Sequence, residues 1–432
     1  MKVHSTHASF QTGELTSLSG KGLNEMATQA EKTAPPAAKD TGLRGVLIAD
    51  TAISLIDGVK GELSYRGYDI HDLAAYSTSE EVAYLLLYGN LPTKAQIEEF
   101  SKILATERKL PPSIIEVLKK LPSSAAPMDV LQGTVALLAD FDPEKHDDSK
   151  EANLKRASQL IAVLPTVVAF WDRIRKNQPP IEPNPKLNRA ANFLYMLTGK
   201  EPDEETAKDF DTCLVLHAEH SFNASTFAAR VVASTRAHMY AAVSAAIGSL
   251  SGELHGGANM QVMRNLIEID DPAKVEAWVK AKFDNHERVM GMGHAVYKAL
   301  DPRADLLRHI SEKLARRTGE PKWYLMTKEI EFNTQREYLA RKGGEIYPNV
   351  DLYSASVYHM LGIPDDLFTP IFAVARISGW VAHIIEEKFP APPIKPELYR
   401  PSAQYEGNYC GVIGCKYESI AKRAIESQQQ TK

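Results

Sequence analysis

The sequence predicts a mainly α-helical protein carrying one small β-hairpin, and three observations lead there. Capping boxes precede apolar runs with helical spacing; the stretch MYAAVSAAIGSL is nearly free of charge; and period-two alternation is confined to residues 53–65. A helix that is apolar on every side must be buried by other helices, so a layered helical globule is expected rather than a thin amphipathic bundle.

The elements follow in chain order. Residues 1–41 are rich in Ser, Thr, Ala and Gly and end near Pro35 and Pro36, a composition expected of a disordered extension. Ordered chain is expected from Gly42. ISLIDGVKGELSY alternates apolar and polar residues around Asp57 and Gly58, the pattern of a hairpin. Thr78 with Glu81 forms a capping box ahead of VAYLLLYG, which Gly89 can close. Thr93 with Gln96 opens a second helix, with Ile97, Phe100, Ile103 and Leu104 on one face. Further helices are predicted over 204–216, over 237–250 with a stop near Gly252, and from Ala258 onward. No period of twenty to fifty residues recurs, which excludes a solenoid.

Composition narrows the function. At 432 residues the chain is long enough for two or three domains. A net charge of −5 carries no polycation signature, so nucleic acid is not the expected partner. Three cysteines, Cys213, Cys410 and Cys415, make no disulfide framework; Cys410 and Cys415 lack the second pair that a zinc site needs. No secretory core or transit signature precedes Arg44, and FAVARISGWVAHII is interrupted by Arg376 and His383. A cytoplasmic protein without membrane spans is expected.

The chemistry-bearing residues are scattered. His217 and His220 lie three apart in HAEH and are expected to share a helix face, but a third metal ligand is missing; a packed pair, or anion binding through His220, fits as well. His255 sits among Gly252, Gly256 and Gly257 beside the expected helix start, where a helix N-terminus favours the neutral ring. His294 ends GMGH, a loop whose backbone N–H groups could cradle a phosphate or adenine. Asp301 is a natural N-cap and Pro302 a natural first helical residue, which holds Arg303 in a first turn suited to an anion. Asp351 follows YPNV ahead of a helix expected near Ser354, where it could simply be a cap. Arg376 lies in an apolar helix and needs a carboxylate from protein or substrate, because an unpaired buried guanidinium is costly. Arg400 stands in a proline-rich loop and reads locally as exposed. Two imidazoles, one carboxylate and several arginines suit removal of a proton from carbon beside a polycarboxylate.

Taken together, HAEHSFNASTF, GELHGGAN, GMGHAVYKALDPR, YPNVDLYSA, FTPIFAVARISGWVAHIIE and YRPSAQY, in this order, resemble the citrate synthase family from Gly42 to about Tyr405. Beyond the disordered extension (1–41), the resemblance implies an all-α, two-domain fold: a large domain (42–258 and 363–432) and a smaller mobile domain (259–362) that closes on the substrates. It implies an acyltransferase that joins acetyl-CoA to oxaloacetate at the entry of the tricarboxylic acid cycle, without a cofactor or metal. Asp351 would take the methyl proton, His255 would stabilise the enol and His294 would protonate the keto group. His220, Arg303, Arg376 and Arg400 would hold oxaloacetate, Arg400 reaching across a homodimer. Met290, Gly291, Met292, Gly293 and Lys298 would touch coenzyme A. A 2-methylcitrate synthase, using propionyl-CoA, is the alternative on the same fold; a non-catalytic CoA-binding protein and a metallohydrolase are the rivals from other classes. The extension before Gly42 and the segment NYCGVIGCKYES match no family role.

Overall fold

The computed structural model describes residues 42, 43, 45–407, 417, 419 and 420; the predictions for residues 1–41 and for Cys410 and Cys415 lie outside them. Residues up to Asp50 form one unit, in which Val46 N–H donates to Leu43 O at 3.2 Å, and the chain from Thr51 forms a second, compact unit. All that follows concerns the second.

A three-stranded antiparallel sheet opens it: β1 (Ser54–Asp57), β2 (Glu62–Tyr65) and β3 (Tyr68–Asp69), in that order. Asp57 pairs with Glu62, so the reversal takes the four residues 58–61. The Asp57 carboxylate sets that turn by accepting the N–H groups of Val59 and Lys60, each at 3.0 Å. The third strand was not predicted; two residues are too short to leave a periodic signature.

Sixteen α-helices follow among the described residues. They are α1 (Ile70–Tyr76), α2 (Ser79–Tyr88), α3 (Lys94–Thr106), α4 (Pro112–Lys120), α5 (Pro127–Leu138), α6 (Lys150–Arg175), α7 (Arg189–Thr198) and α8 (Glu204–His217). Then come α9 (Ala224–Ser234), α10 (Met239–Leu250), α11 (Ala258–Ile269), α12 (Val275–Asp284), α13 (Pro302–Thr318), α14 (Pro321–Lys342), α15 (Val350–Met360) and α16 (Phe368–Lys388). The second capping box forms in full at Thr93 and Gln96. The first forms by half: Thr78 accepts from Glu81 N–H, while the Glu81 carboxylate takes the Ser77 hydroxyl at 2.6 Å instead. Gly89 closes α2 in the left-handed region, as expected.

Helix α16 is the axis of the core, buried on nearly every side and packed against α2, α6, α8, α9 and α10. It and α6 are long and apolar enough to cross a membrane, but in this fold their apolar segments are enclosed by other helices. Helices α11–α15 pack mainly on one another. An ionic lattice joins α8 to α13: Lys313 meets Glu205 at 3.1 Å and Asp209 at 2.6 Å, and Arg317 meets both at 3.1 Å.

Candidate active site

Three chain segments converge on one cavity of about 420 Å³. The turn between α10 and α11 contributes His255, the loop between α12 and α13 contributes Met290 to His294, and the first turn of α15 contributes Asp351. Residues separated by almost a hundred positions thus share one wall.

The loop and the helix are stitched together by backbone. Met292 pairs with Pro348, Gly293 N–H donates to Tyr347 O at 2.7 Å, and Asn349 N–H donates to Gly291 O at 2.9 Å. Gly291 has φ +83°, and a Cβ there would meet Leu352 Cα at 2.9 Å. Only glycine allows so close an approach in that conformation. Asn349, not Asp351, caps α15, which begins at Val350 and not near Ser354. The Asp351 carboxylate is therefore free of a capping duty.

Each histidine is held in one neutral form. His255 Nε2 lies 3.2 Å from Ser225 N–H in the first turn of α9. A backbone N–H can only donate, so Nε2 is the lone-pair nitrogen and the proton sits on Nδ1. The Ser225 hydroxyl lies 2.8 Å from the same nitrogen and accepts Trp380 Nε1–H at 3.1 Å. For His294 the tautomer is reversed: Nδ1 accepts Val296 N–H at 3.0 Å and Tyr297 N–H at 3.2 Å, which leaves the proton on Nε2. Burial, aided by the Arg376 charge, holds His255 down to about 4. Burial and Arg303 hold His294 down to about 4. Both rings are thus hydrogen-bond donors without charge at neutral pH.

Asp351 moves the other way. Burial raises its carboxyl to about 7, with the Arg303 charge opposing the rise. It is a much stronger base than an exposed aspartate, yet ionised above neutrality.

Arg303, Arg376 and His220 do not line this cavity, but both guanidinium charges act on Asp351, favouring its ionised form. Asp301 caps α13, as the Asp-Pro-Arg pattern suggested, and also grips Arg303 at both Nε (3.0 Å) and Nη2 (2.7 Å), which the pattern did not foretell. The His220 ring lies 5.3 Å from that of His294, and its Nε2 is 3.4 Å from the Tyr297 hydroxyl. Burial and Arg303 keep it well below the usual histidine range. Arg376 is buried, stacked 4.8 Å from the Phe372 ring, and donates through Nε to the His217 carbonyl at 2.8 Å. Burial holds the guanidinium down to about 10, with the Glu219 charge opposing that effect, but no ion pair joins the two side chains. Glu219 is itself enclosed, bonded to His383 Nε2 at 2.9 Å, to the Ser54 hydroxyl at 3.0 Å and to Ser221 N–H.

Several expectations change. His217 and His220 do not share a helix face, because α8 ends at His217. His217 donates Nδ1–H to Cys213 O at 2.8 Å and packs edge-on to Phe372. Among the described residues no His, Cys, Asp and Glu side chains gather in threes suited to a metal. Lys298 is exposed and outside the cavity lining; its N–H holds Gly58 O at 2.7 Å instead. Arg400 is exposed, in the loop beyond α16. Sequence reasoning passed over Ser225, Tyr297 and Asn349. Asn223-Ala-Ser225 opens a helix whose N–H groups needed a partner, which was the one available signal for Ser225.

Residues 42–402 match the family model described as citrate synthase, C-terminal domain. The citrate synthase of Haloferax volcanii is 46% identical over 371 residues, covering 85% of this chain and 95% of that protein. The 2-methylcitrate synthase of Mycobacterium tuberculosis is 41% identical over 355 residues, covering 82% and 88%. Among solved structures, citrate synthase from Pyrobaculum aerophilum superposes with a TM-score of 0.81 at 40% identity, covering 88% of this chain and 95% of that one. A ternary complex of carboxymethyl coenzyme A and oxaloacetate with citrate synthase from Thermoplasma acidophilum gives 0.81 at 34% identity, covering 88% and 98%. With that extent of match and that identity, the chain belongs to the citrate synthase family.

Proposed function

We propose that this chain condenses acetyl-CoA with oxaloacetate and hydrolyses the citryl-CoA formed, giving citrate and CoA, with Asp351, His255 and His294 performing the chemistry. The observation that carries the reading is the pair of opposite neutral tautomers facing one cavity with a carboxylate raised to about 7.

Asp351 removes a methyl proton from acetyl-CoA while His255 Nδ1–H donates to the thioester oxygen. Neither step suffices alone, since the methyl group is far less acidic than a carboxylate is basic. The enol carbon attacks the keto carbon of oxaloacetate, and His294 Nε2–H gives its proton to the forming alkoxide. Water then cleaves the thioester. Nothing in this sequence of steps needs a cofactor or a metal.

Oxaloacetate is held by His220, Arg303 and Arg376. Arg376 bonds within the chain through Nε alone among the described residues, which leaves its terminal nitrogens for a carboxylate fork. The backbone of Met290 to Gly293 lines the cavity where coenzyme A is to lie, and exposed Lys298 stands ready for a phosphate. Exposed Arg400 serves a partner's site in a homodimer. The segment 259–362 acts as the smaller domain, closing to exclude water. The enzyme works in the cytoplasm.

The test is steady-state release of CoA by purified protein from acetyl-CoA and from propionyl-CoA, each with oxaloacetate. Higher kcat/KM for acetyl-CoA is expected. Preference for propionyl-CoA would assign the 2-methylcitrate reaction instead, and no release from either would refute the reading.

A further inference from the structure

We infer that Asn349 is a positioning residue that couples the general base to the proton donor, by capping the helix of Asp351 with one end of its amide and anchoring the loop of His294 with the other. The inference rests on the roles proposed above for those two residues.

Asn349 Oδ1 accepts Asp351 N–H at 2.9 Å, and Nδ2 donates to Gly293 O at 2.8 Å. The two bonds define the amide orientation: the backbone N–H demands an oxygen, and the carbonyl demands an N–H. Gly293 O belongs to the peptide that carries His294, so this bond fixes where the imidazole begins. On the other side, the capped N–H is that of Asp351 itself. One half-buried side chain on the cavity wall thus sets the separation of the two groups that must act on opposite reactants.

Capping alone does not call for asparagine here. Serine, threonine or aspartate caps a helix about as well. Aspartate has no donor once ionised, and serine or threonine has a single polar atom, which the cap holds at Asp351 N–H and which lacks the amide's second arm towards Gly293 O. The donor is the part of the residue that helix stability does not need, and it is spent on the His294 loop. Both partners sit in backbone that is already close: the bridge between Met292 and Pro348 brings the strands together, and glycine at 291 and 293 gives that loop its left-handed turns. Without the Nδ2 bond the loop would stay paired to 347–349 but lose the contact nearest His294.

Asn349→Ser keeps the cap and removes the anchor; Asn349→Ala removes both. Two rates separate their effects. Condensation of acetyl-CoA with oxaloacetate needs Asp351, His255 and His294. Exchange of acetyl-CoA methyl hydrogens with deuterated water, in the presence of a dicarboxylate lacking the keto group, needs only Asp351 and His255. For Asn349→Ser we expect condensation kcat to fall about 10- to 100-fold with exchange kept within about threefold, as displacement of a reacting group alone would do. For Asn349→Ala both rates should fall. Unchanged condensation in Asn349→Ser, or equal loss of both rates, overturns the inference. If Asn349→Ser does not fold, Asn349→Asp offers the same cap with no donor and is judged by the same split. Failure of the unaltered protein to release CoA would refute the proposed function, independently of any variant.

Discussion

Ser225 N–H, in the first turn of α9, points at Nε2 of His255 from 3.2 Å, thirty residues along the chain. That one bond selects the tautomer whose Nδ1–H can donate to a thioester. Ser225→Ala keeps the N–H and loses only the hydroxyl, so kcat should drop less than about tenfold. Ser225→Pro deletes the N–H at a position where a first helical turn tolerates proline. With the wrong tautomer allowed, kcat should fall on the order of a hundredfold or more. Steady-state assays with circular dichroism as a folding check would decide, and equal rates for the two variants would refute this role.

The base and the donors titrate far apart, which fixes the pH response. In the proposed role of base Asp351 must be ionised, and burial raises its carboxyl to about 7. His255 and His294 stand at about 4 and stay neutral throughout the working range. kcat/KM should therefore show one limb near neutrality, falling tenfold per unit as pH drops below about 7. Stability carries the opposite sign. A carboxyl raised on folding binds its proton more tightly in the native state, so its burial destabilises the protein above pH 7 and less as pH falls toward 4. Asp351→Asn should melt at a higher temperature than the unaltered protein at pH 8, with the gap narrowing at pH 5. A gap independent of pH would contradict the raised value.

Arg376 has no interchangeable substitute. Its Nε holds the His217 carbonyl, and stacking on Phe372 aims the rest of the fork. Arg376→Lys keeps a positive charge but cannot make both contacts at once. The KM for oxaloacetate should rise at least tenfold, with KM for acetyl-CoA nearly unchanged. Comparable rises in both would mean that the residue shapes the whole cleft and does not grip one substrate.

Much of this was legible because the signals are local. Capping by Thr78, Thr93 and Asp301 is written within three residues, and Gly89 closes α2 where its lack of a Cβ predicts. The three site segments also announced themselves, through glycines around His255 and His294 and a stiff approach to Asp351. The partners of these residues did not, because each lies far off in sequence. Asn349 reaches back 56 residues to Gly293, Arg376 reaches 159 to His217, and Glu219 meets His383 across 164. Lys298 shows the converse. Only the family resemblance marked it for coenzyme A, and nothing local foretold that the hairpin would capture its backbone while the side chain faces solvent.

Asp209 ties α8 to α13 through two cations. The carboxylate is 3% exposed, whereas Lys313 and Arg317 reach solvent. Its partners can rehydrate, so Asp209→Ala should cost about 1–3 kcal/mol, less than a fully buried pair would. The urea midpoint should fall accordingly. The loss should shrink in high salt, because exposed members of the lattice are screened in the unaltered protein too. A midpoint unchanged by the substitution would show that the lattice adds nothing to stability.

Gly58 connects the hairpin to catalysis. A Cβ there would stand 2.4 Å from Val296 O and 2.9 Å from Val296 C, both backbone atoms that cannot swing aside. Gly58 O also accepts Lys298 N–H at 2.7 Å. The hairpin tip therefore presses on the residues whose N–H groups, Val296 and Tyr297, hold Nδ1 of His294. In Gly58→Ala that loop must move by a few tenths of an ångström or more, and the ring it holds moves with it. Overpacking of this kind costs about 1–3 kcal/mol, visible as a lower melting temperature. On the proposed roles, kcat should fall about tenfold or more, since a displaced donor would miss the keto oxygen, while KM for oxaloacetate, assigned to Arg303 and Arg376, should change less. If stability drops and kcat does not, the hairpin braces the fold without positioning His294.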